Sequence, residues 1–135
     1  RKICNIESYS ITDNVSELTA RINDDGWNTS YSNWLKISKI NNKDILFILS
    51  VGGGHEKKKI SQNLIETMKL AKKSKSKIIS IVGKNDGYAA RHSDACIIIP
   101  NVSKKYTTPL AEGFQAVIWH LLVSHSSLQK NKTKW

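Results

Sequence analysis

Twelve residues constrain the fold more than any others: Asp44-Ile-Leu-Phe-Ile-Leu-Ser50-Val-Gly-Gly-Gly54-His55, an unbroken apolar run that stops at three glycines. A run this short, bounded by polar residues and rich in Ile, Leu and Phe, reads as a parallel-sheet strand buried on both faces. The glycines follow its carboxyl end, where open α/β sheets place their ligands. Glu56-Lys57-Lys58-Lys59-Ile60 then opens a stretch of helical periodicity. Strand, glycine loop and helix start, in that order, aim backbone N–H groups and a helix dipole at an anion. The plainer alternative is that the glycines only permit a tight turn. The residues alone leave both readings open.

Around this unit strands and helices alternate. Asn14, with Glu17 three residues later, makes a capping-box-like helix start, the helix runs through Leu18 and Ile22, and Asp24-Asp25-Gly26 stops it. A second helix is predicted over about residues 29–40, with Tyr31, Trp34, Leu35 and Ile37 on its apolar face. After the glycines, Ile60, Leu64, Met68 and Ala71 share one helical stripe that ends among lysines suited to a helix carboxyl end. Lys77–Val82 and Ala95–Ile99 are the next strands, with a short helix at Tyr88–Ser93 between them. A last helix of about 20 residues starts near Thr107-Thr108-Pro109, with Thr108 as cap and Pro109 in the first turn. Residues 3–11, anchored by Ile3, Ile6 and Ile11, read as a weak or edge strand. This order implies right-handed crossovers and a three-layer α/β/α domain, a parallel sheet with helices on both faces. The 135 residues form one domain, without repeats or a dividing linker.

Composition narrows the partners. No apolar run approaches the roughly 18 residues of a membrane span, and no signal peptide is visible, so no membrane partner is expected. The chain opens Arg1-Lys2 without Met, which reads as a cut point. Cys4 and Cys96 lie far apart without metal-ligand spacing and read as free thiols of a reducing cytoplasm. The 21 Lys+Arg against 11 Asp+Glu give a net charge of +10, which favours anionic partners. The excess gathers at Lys57-Lys58-Lys59, from Lys69 through Lys77, and at Lys130, Lys132 and Lys134. No aromatic residues interleave with these runs, which disfavours nucleic acid and favours a solvated face. Gly52-Gly53-Gly54-His55-Glu56-Lys57 lacks the third glycine of a dinucleotide fingerprint, and no Gly-Lys-Ser/Thr follows to make a P-loop.

Four stretches together carry a family resemblance: Asp44 through Gly54, Ile81-Val-Gly-Lys-Asn-Asp-Gly87, Ser93-Asp-Ala-Cys-Ile-Ile-Ile-Pro100, and Glu112 with His120 on the last helix. In that order they resemble the sugar isomerase (SIS) domain and, within it, the phosphoheptose isomerases; Thr12-Asp13-Asn14, Leu18-Thr19-Ala20 and Asn23-Asp24 extend the likeness, which runs from about residue 3 to 125. The resemblance implies a flavodoxin-like SIS fold, a homo-oligomer (dimer or tetramer), and interconversion of aldose and ketose phosphates of the sedoheptulose 7-phosphate type. It implies a phosphorylated sugar as ligand, bound through Ser50, Gly52, Gly53, Gly54 and His55, with Asp86, Thr108 and Glu112 as further substrate contacts. His120 matches the family's catalytic acid/base, and Glu112 and His120 match positions where zinc is sometimes bound. The histidine's alternative is packing within Val117-Ile-Trp-His-Leu-Leu-Val123. His55, His92 and His125 have weaker claims to a role.

The chain departs from the family pattern in two places. Family loops read Ser-Thr-Ser-Gly-Asn-Ser where this chain has Ser50-Val51-Gly52-Gly53-Gly54-His55, so phosphate binding falls to glycine N–H groups with His55 or Lys57. The family's first strand, its Gly-Asn-Gly-Gly-Ser loop and the helix carrying the catalytic Glu belong before the region matched by residue 3. The chain is then either the carboxyl-terminal part of the family domain or a shortened relative. In the second case the expected function is a non-catalytic sugar-phosphate-binding or protein-interaction module.

Overall fold

The computed structural model describes residues 1–132, so Lys134 of the basic tail lies outside the described residues. Helices α1 (Val15–Asp25) and α2 (Ser30–Ile37) precede strand β1 (Ile45–Ser50); then come α3 (Gln62–Lys73), β2 (Lys77–Val82), α4 (Tyr88–His92), β3 (Ala95–Ile98) and α5 (Thr107–Ser124). The three strands are parallel in the order β1-β2-β3, with Phe47 opposite Ile79 and Ile81 opposite Ile97. This is the parallel α/β arrangement expected from the sequence.

Local chemistry sets most of the boundaries. Asn14 caps α1 by accepting the Glu17 N–H, and Gly26, at a φ of 82°, ends it. The predicted strand at residues 3–11 does not form. Its backbone is taken by the far end of the chain instead: the Ile3 carbonyl accepts N–H bonds from Lys130 and Asn131, and the Cys4 thiol faces the Val123 carbonyl. The helix expected from residue 56 starts at Gln62, because residues 55–60 close into a turn in which His55 and Ile60 exchange both backbone bonds. Ile60 is therefore exposed, and the buried stripe of α3 is Ile65, Met68 and Ala71. Thr108 is not the cap of α5; the cap is Tyr106, two residues earlier, and the helix begins at Thr107 with Pro109 in its first turn as expected.

The core lies on one face of the sheet. Leu46, Ile48, Ile78 and Val82 meet Leu35 of α2, Ile65, Met68 and Ala71 of α3, and Tyr88 and Ala89 of α4. Each such side chain contributes about 1.5–3 kcal/mol by leaving water. Among the described residues the opposite face has α5 alone, seated on Ile81 and Ile99 through Ala111 and anchored where the Gln115 amide donates to the buried Ile81 carbonyl at 2.9 Å. Beyond α5 no described residue covers this face. Ile45, Phe47, Leu49 and Ile97 are 63%, 41%, 48% and 42% exposed, which corrects the reading of β1 as buried on both sides. Strand periodicity shows that alternate residues share a face; it does not show what lies over that face.

At the amino end of β2, Asp94 accepts the Ile78 N–H and the Lys77 ammonium, each at 2.8 Å. The Lys77 hydrogen bond, then the Ile78 N–H, hold its carboxyl below the ordinary carboxylate range. Because the folded value lies below the unfolded one, the stability this adds is present at neutral pH and is lost as pH falls through the folded value. Asp94→Asn is therefore expected to lower stability in urea unfolding at neutral pH, by a margin that closes in strong acid. An equal deficit at both pH values would contradict the charge-based account.

Candidate functional site

The three strands end on one side, and their following loops form the candidate site. The loop after β1 is a packed glycine turn. Gly53 and Gly54 have φ of 68° and 80°, and a Cβ on Gly54 would come within 2.9 Å of Ile65. The Gly53 N–H donates to Ser50 Oγ at 3.0 Å. The Gly54 and Gly53 carbonyls accept the Tyr88 and Ala89 N–H groups at 2.7 and 2.9 Å, so the turn caps α4. Gly87 lies so close that a Cβ there would overlap the Gly52 carbonyl oxygen. Burial beside this turn pushes the Tyr88 phenol up.

These bonds determine what remains for an anion. The N–H groups of Gly53 and His55 are spent within the protein. The Ser50 hydroxyl accepts one bond and keeps its own proton to donate, and Gly52 has open space where a side chain would stand. His55 accepts the Lys58 N–H at Nδ1, which leaves Nε2 to carry the proton of the neutral ring. Lys57, Lys58 and Lys59 are exposed on the same turn.

Beside the turn lies a cleft of about 790 Å³, lined from the β2 loop by Lys84, Asn85 and Asp86 and from the opposite wall by Asn101, Lys104 and Thr108. Val51 and Gly83 form its floor and join it to the glycine turn, since the Gly83 N–H donates to the Val51 carbonyl. The glycine at 83 also lets α5 approach, because a Cβ there would come within 2.8 Å of Ala111. The first turn of α5 has no side-chain cap, and Pro109 has no N–H, so Thr107 and Thr108 present the helix's free donors. Thr107 Oγ1 is already engaged with Asn101 Oδ1 at 3.0 Å. The cleft thus combines two lysines, one exposed carboxylate and the positive end of an 18-residue helix.

Asp86 and Thr108 are therefore brought together, next to the turn that holds Ser50 and Gly52–Gly54. Glu112 and His120 lie farther along α5, both exposed, and the His120 ring stacks on Trp119 with centroids 3.8 Å apart. Eight residues of helix separate them by about 12 Å along the axis. Among the described residues no three of His, Cys, Asp and Glu come together as metal ligands. This pair does not by itself fit zinc, and no chemical step is assigned to a metal. Lys84 and Lys104 were not singled out in the sequence, although each stands at a strand end or a helix start, the positions that mark ligand sites in such sheets.

No model of a known protein family matches the chain. Over 126 residues, 90% of this chain, it is 29% identical to the lincomycin biosynthesis protein LmbN of Streptomyces lincolnensis, of which the match spans 44%. The structure superposes on a phosphoheptose isomerase from Francisella tularensis with a TM-score of 0.65 at 20% identity, covering 84% of this chain and 57% of that one. On the phosphoheptose isomerase from Neisseria gonorrhoeae the TM-score is 0.63 at 21% identity, covering 87% and 61%. The chain thus has the fold of the phosphoheptose isomerases and spans less than half of the curated relative it matches.

Proposed function

We propose that this chain forms the sugar-phosphate-binding part of a phosphosugar isomerase acting on sedoheptulose 7-phosphate or a close relative. The observation that supports this reading most is the cleft at the carboxyl ends of the strands, with Lys84, Lys104, Asp86 and Thr108 on its walls. The fold shared with phosphoheptose isomerases sets it in context.

The chemistry requires a dianion to be held and a proton moved between adjacent carbons. Lys84 and Lys104 supply the charge that opposes phosphate, with the Ser50 hydroxyl, the Gly52 N–H and the first turn of α5 as donors. The buried Gly53 and Gly54 shape the turn, and His55 stands at its edge. The Asp86 carboxylate accepts sugar hydroxyls. In the isomerisation a base removes the proton from the carbon beside the carbonyl while an acid protonates the carbonyl oxygen to give an enediol; the base then returns its proton to the neighbouring carbon as the other enediol hydroxyl gives its proton back to the acid's conjugate base. His120 is assigned the acid/base role by the family likeness; twelve residues of helix set it about 18 Å from Thr108, so it serves a substrate reaching from beyond this chain's own cleft, with Glu112 as a substrate contact on the same helix. Zinc held by these two requires donors from beyond the described residues. The bare apolar sheet face supports a homo-oligomer. The buried Cys4 and half-buried Cys96, both free, suit a reducing cytoplasm.

The test is sedoheptulose 7-phosphate itself. The protein is expected to bind it, and Lys104→Gln is expected to weaken binding by about tenfold, or about 1.4 kcal/mol, measured by calorimetric titration. Unchanged affinity would remove Lys104 from the site, and no binding by the unaltered protein would remove the reading. One observation favours the non-catalytic module as a second reading: Glu112, the carboxylate on the same helix, lies about 12 Å along the axis from His120. Binding without turnover by the intact gene product would decide for the module.

A further inference from the structure

We propose that the protein carries another anion site, a basic cleft at the amino ends of the strands that takes a compact, multiply charged phosphate compound. The cleft, about 410 Å³, lies between the carboxyl ends of α3 and α4 and the starts of β2 and β3, and Lys72, Lys75, Lys77 and Arg91 line it with Asp94. Its volume is that of a small-molecule site. It stands at the opposite end of the strands from the sugar-phosphate cleft and does not rest on that reading.

Asp94 offsets only one of the cluster's positive charges: its two oxygens bond Lys77 and the Ile78 N–H, and its field reaches Lys72 more weakly. Arg91 lines the cleft with its stem but turns its guanidinium back to the Asp86 carbonyl, toward the other end of the strands. Lys72 and Lys75 therefore carry the free charge for a ligand.

Lys75 is held in place by its backbone. It follows the last residues of α3 at a φ of 60°, in the left-handed conformation that glycine or asparagine ordinarily takes after a helix. Lys39 does the same after α2, at 57°. The buried Ser76 hydroxyl donates to the Asn41 carbonyl at 2.6 Å, tying the two turns together at one end of the sheet. A cation after a helix offsets its dipole, but Lys72 and Lys73 in the last turn of α3 already do so. Lys75 is left without an internal function.

The ligand class follows from what the cleft offers. It presents point charges without a free aromatic face, since the His92 ring is stacked on Tyr88 at 3.8 Å. Recognition is then of clustered phosphate charge and not of a base. Inorganic tripolyphosphate and ATP share that chemistry.

Calorimetric titration of the protein with sodium tripolyphosphate tests the proposal. Binding is expected, about tenfold weaker on raising salt from roughly 50 to 200 mM, with ATP matching tripolyphosphate. Lys72→Gln combined with Lys75→Gly, the latter suited to the backbone, is expected to cost at least about tenfold in affinity. Lys84→Gln with Lys104→Gln removes the phosphate contacts of the other cleft, and the tripolyphosphate binding that survives in this variant is expected to be the part that Lys72 and Lys75 carry. No binding by the unaltered protein, binding of ATP without tripolyphosphate, or loss of all tripolyphosphate binding in the Lys84/Lys104 variant would overturn the proposal.

Discussion

Gly87→Ala is expected to destabilise the protein by about 3 kcal/mol or more, a large share of the roughly 5–15 kcal/mol that holds a domain of this size together. Its φ of −71° suits any residue, so torsion is not the cause. The added Cβ would overlap the Gly52 carbonyl oxygen and crowd the Gly52 carbonyl carbon and Gly53 Cα at 3.1 and 3.3 Å. All three are backbone atoms, and their loop is fixed by the bonds that Gly53 and Gly54 accept from α4. It has no side chain to swing aside. Gly52→Ala is the matching control, since a Cβ there meets nothing within 4 Å. Denaturant unfolding should separate the two variants clearly; a Gly87→Ala loss below about 1 kcal/mol would refute the interlocking of the two loops. Because these loops also form the floor and wall of the cleft, a milder variant should weaken sugar-phosphate binding in step with stability.

His120→Ala, made in the intact gene product, is expected to lower kcat by about 10²–10⁴-fold with little change in KM. That split is the mark of a group acting on the transition state and not on the bound substrate. The histidine is exposed on α5 with Trp119 as its stacking neighbour, so the substitution should shift stability by less than about 0.5 kcal/mol. Retained turnover would strip His120 of its acid/base role. If the unaltered protein binds sugar phosphate and does not turn it over, the non-catalytic module is the correct function.

The strands were legible because their apolar runs are bounded by polar residues: Asp44 before β1, Ser76 and Lys77 at the start of β2, Ser93 and Asp94 before β3. Other features left no local signal. The turn at residues 55–60 places Lys59 and Ser61 at positive φ, where no glycine or asparagine announces it, so helical periodicity extended back through Ile60. Residues 3–11 have the apolar spacing of a strand, yet they pair with no strand, and the Ile3 carbonyl finds its partners more than a hundred residues away at Lys130 and Asn131. In the site, Asp86 and Thr108 were named through the family likeness, and the structure places both on one cleft, after a strand and at the start of a helix. Glu112 and His120 were reached through family likeness alone. Helix geometry gives their angular relation, but the axial distance between them makes any shared role depend on groups from elsewhere.

The bare face beside α5 also bears on how the protein behaves in concentrated solution. Where nothing covers them, its apolar sheet residues and the exposed Phe114, Val117 and Leu121 of α5 would draw copies together, while the net charge of +10 would keep them apart. Screening weakens the repulsion and leaves the attraction in place. Dissolved salt thus acts as a dial between dispersed and clustered molecules, and charge neutralisation by polyanions turns it the same way.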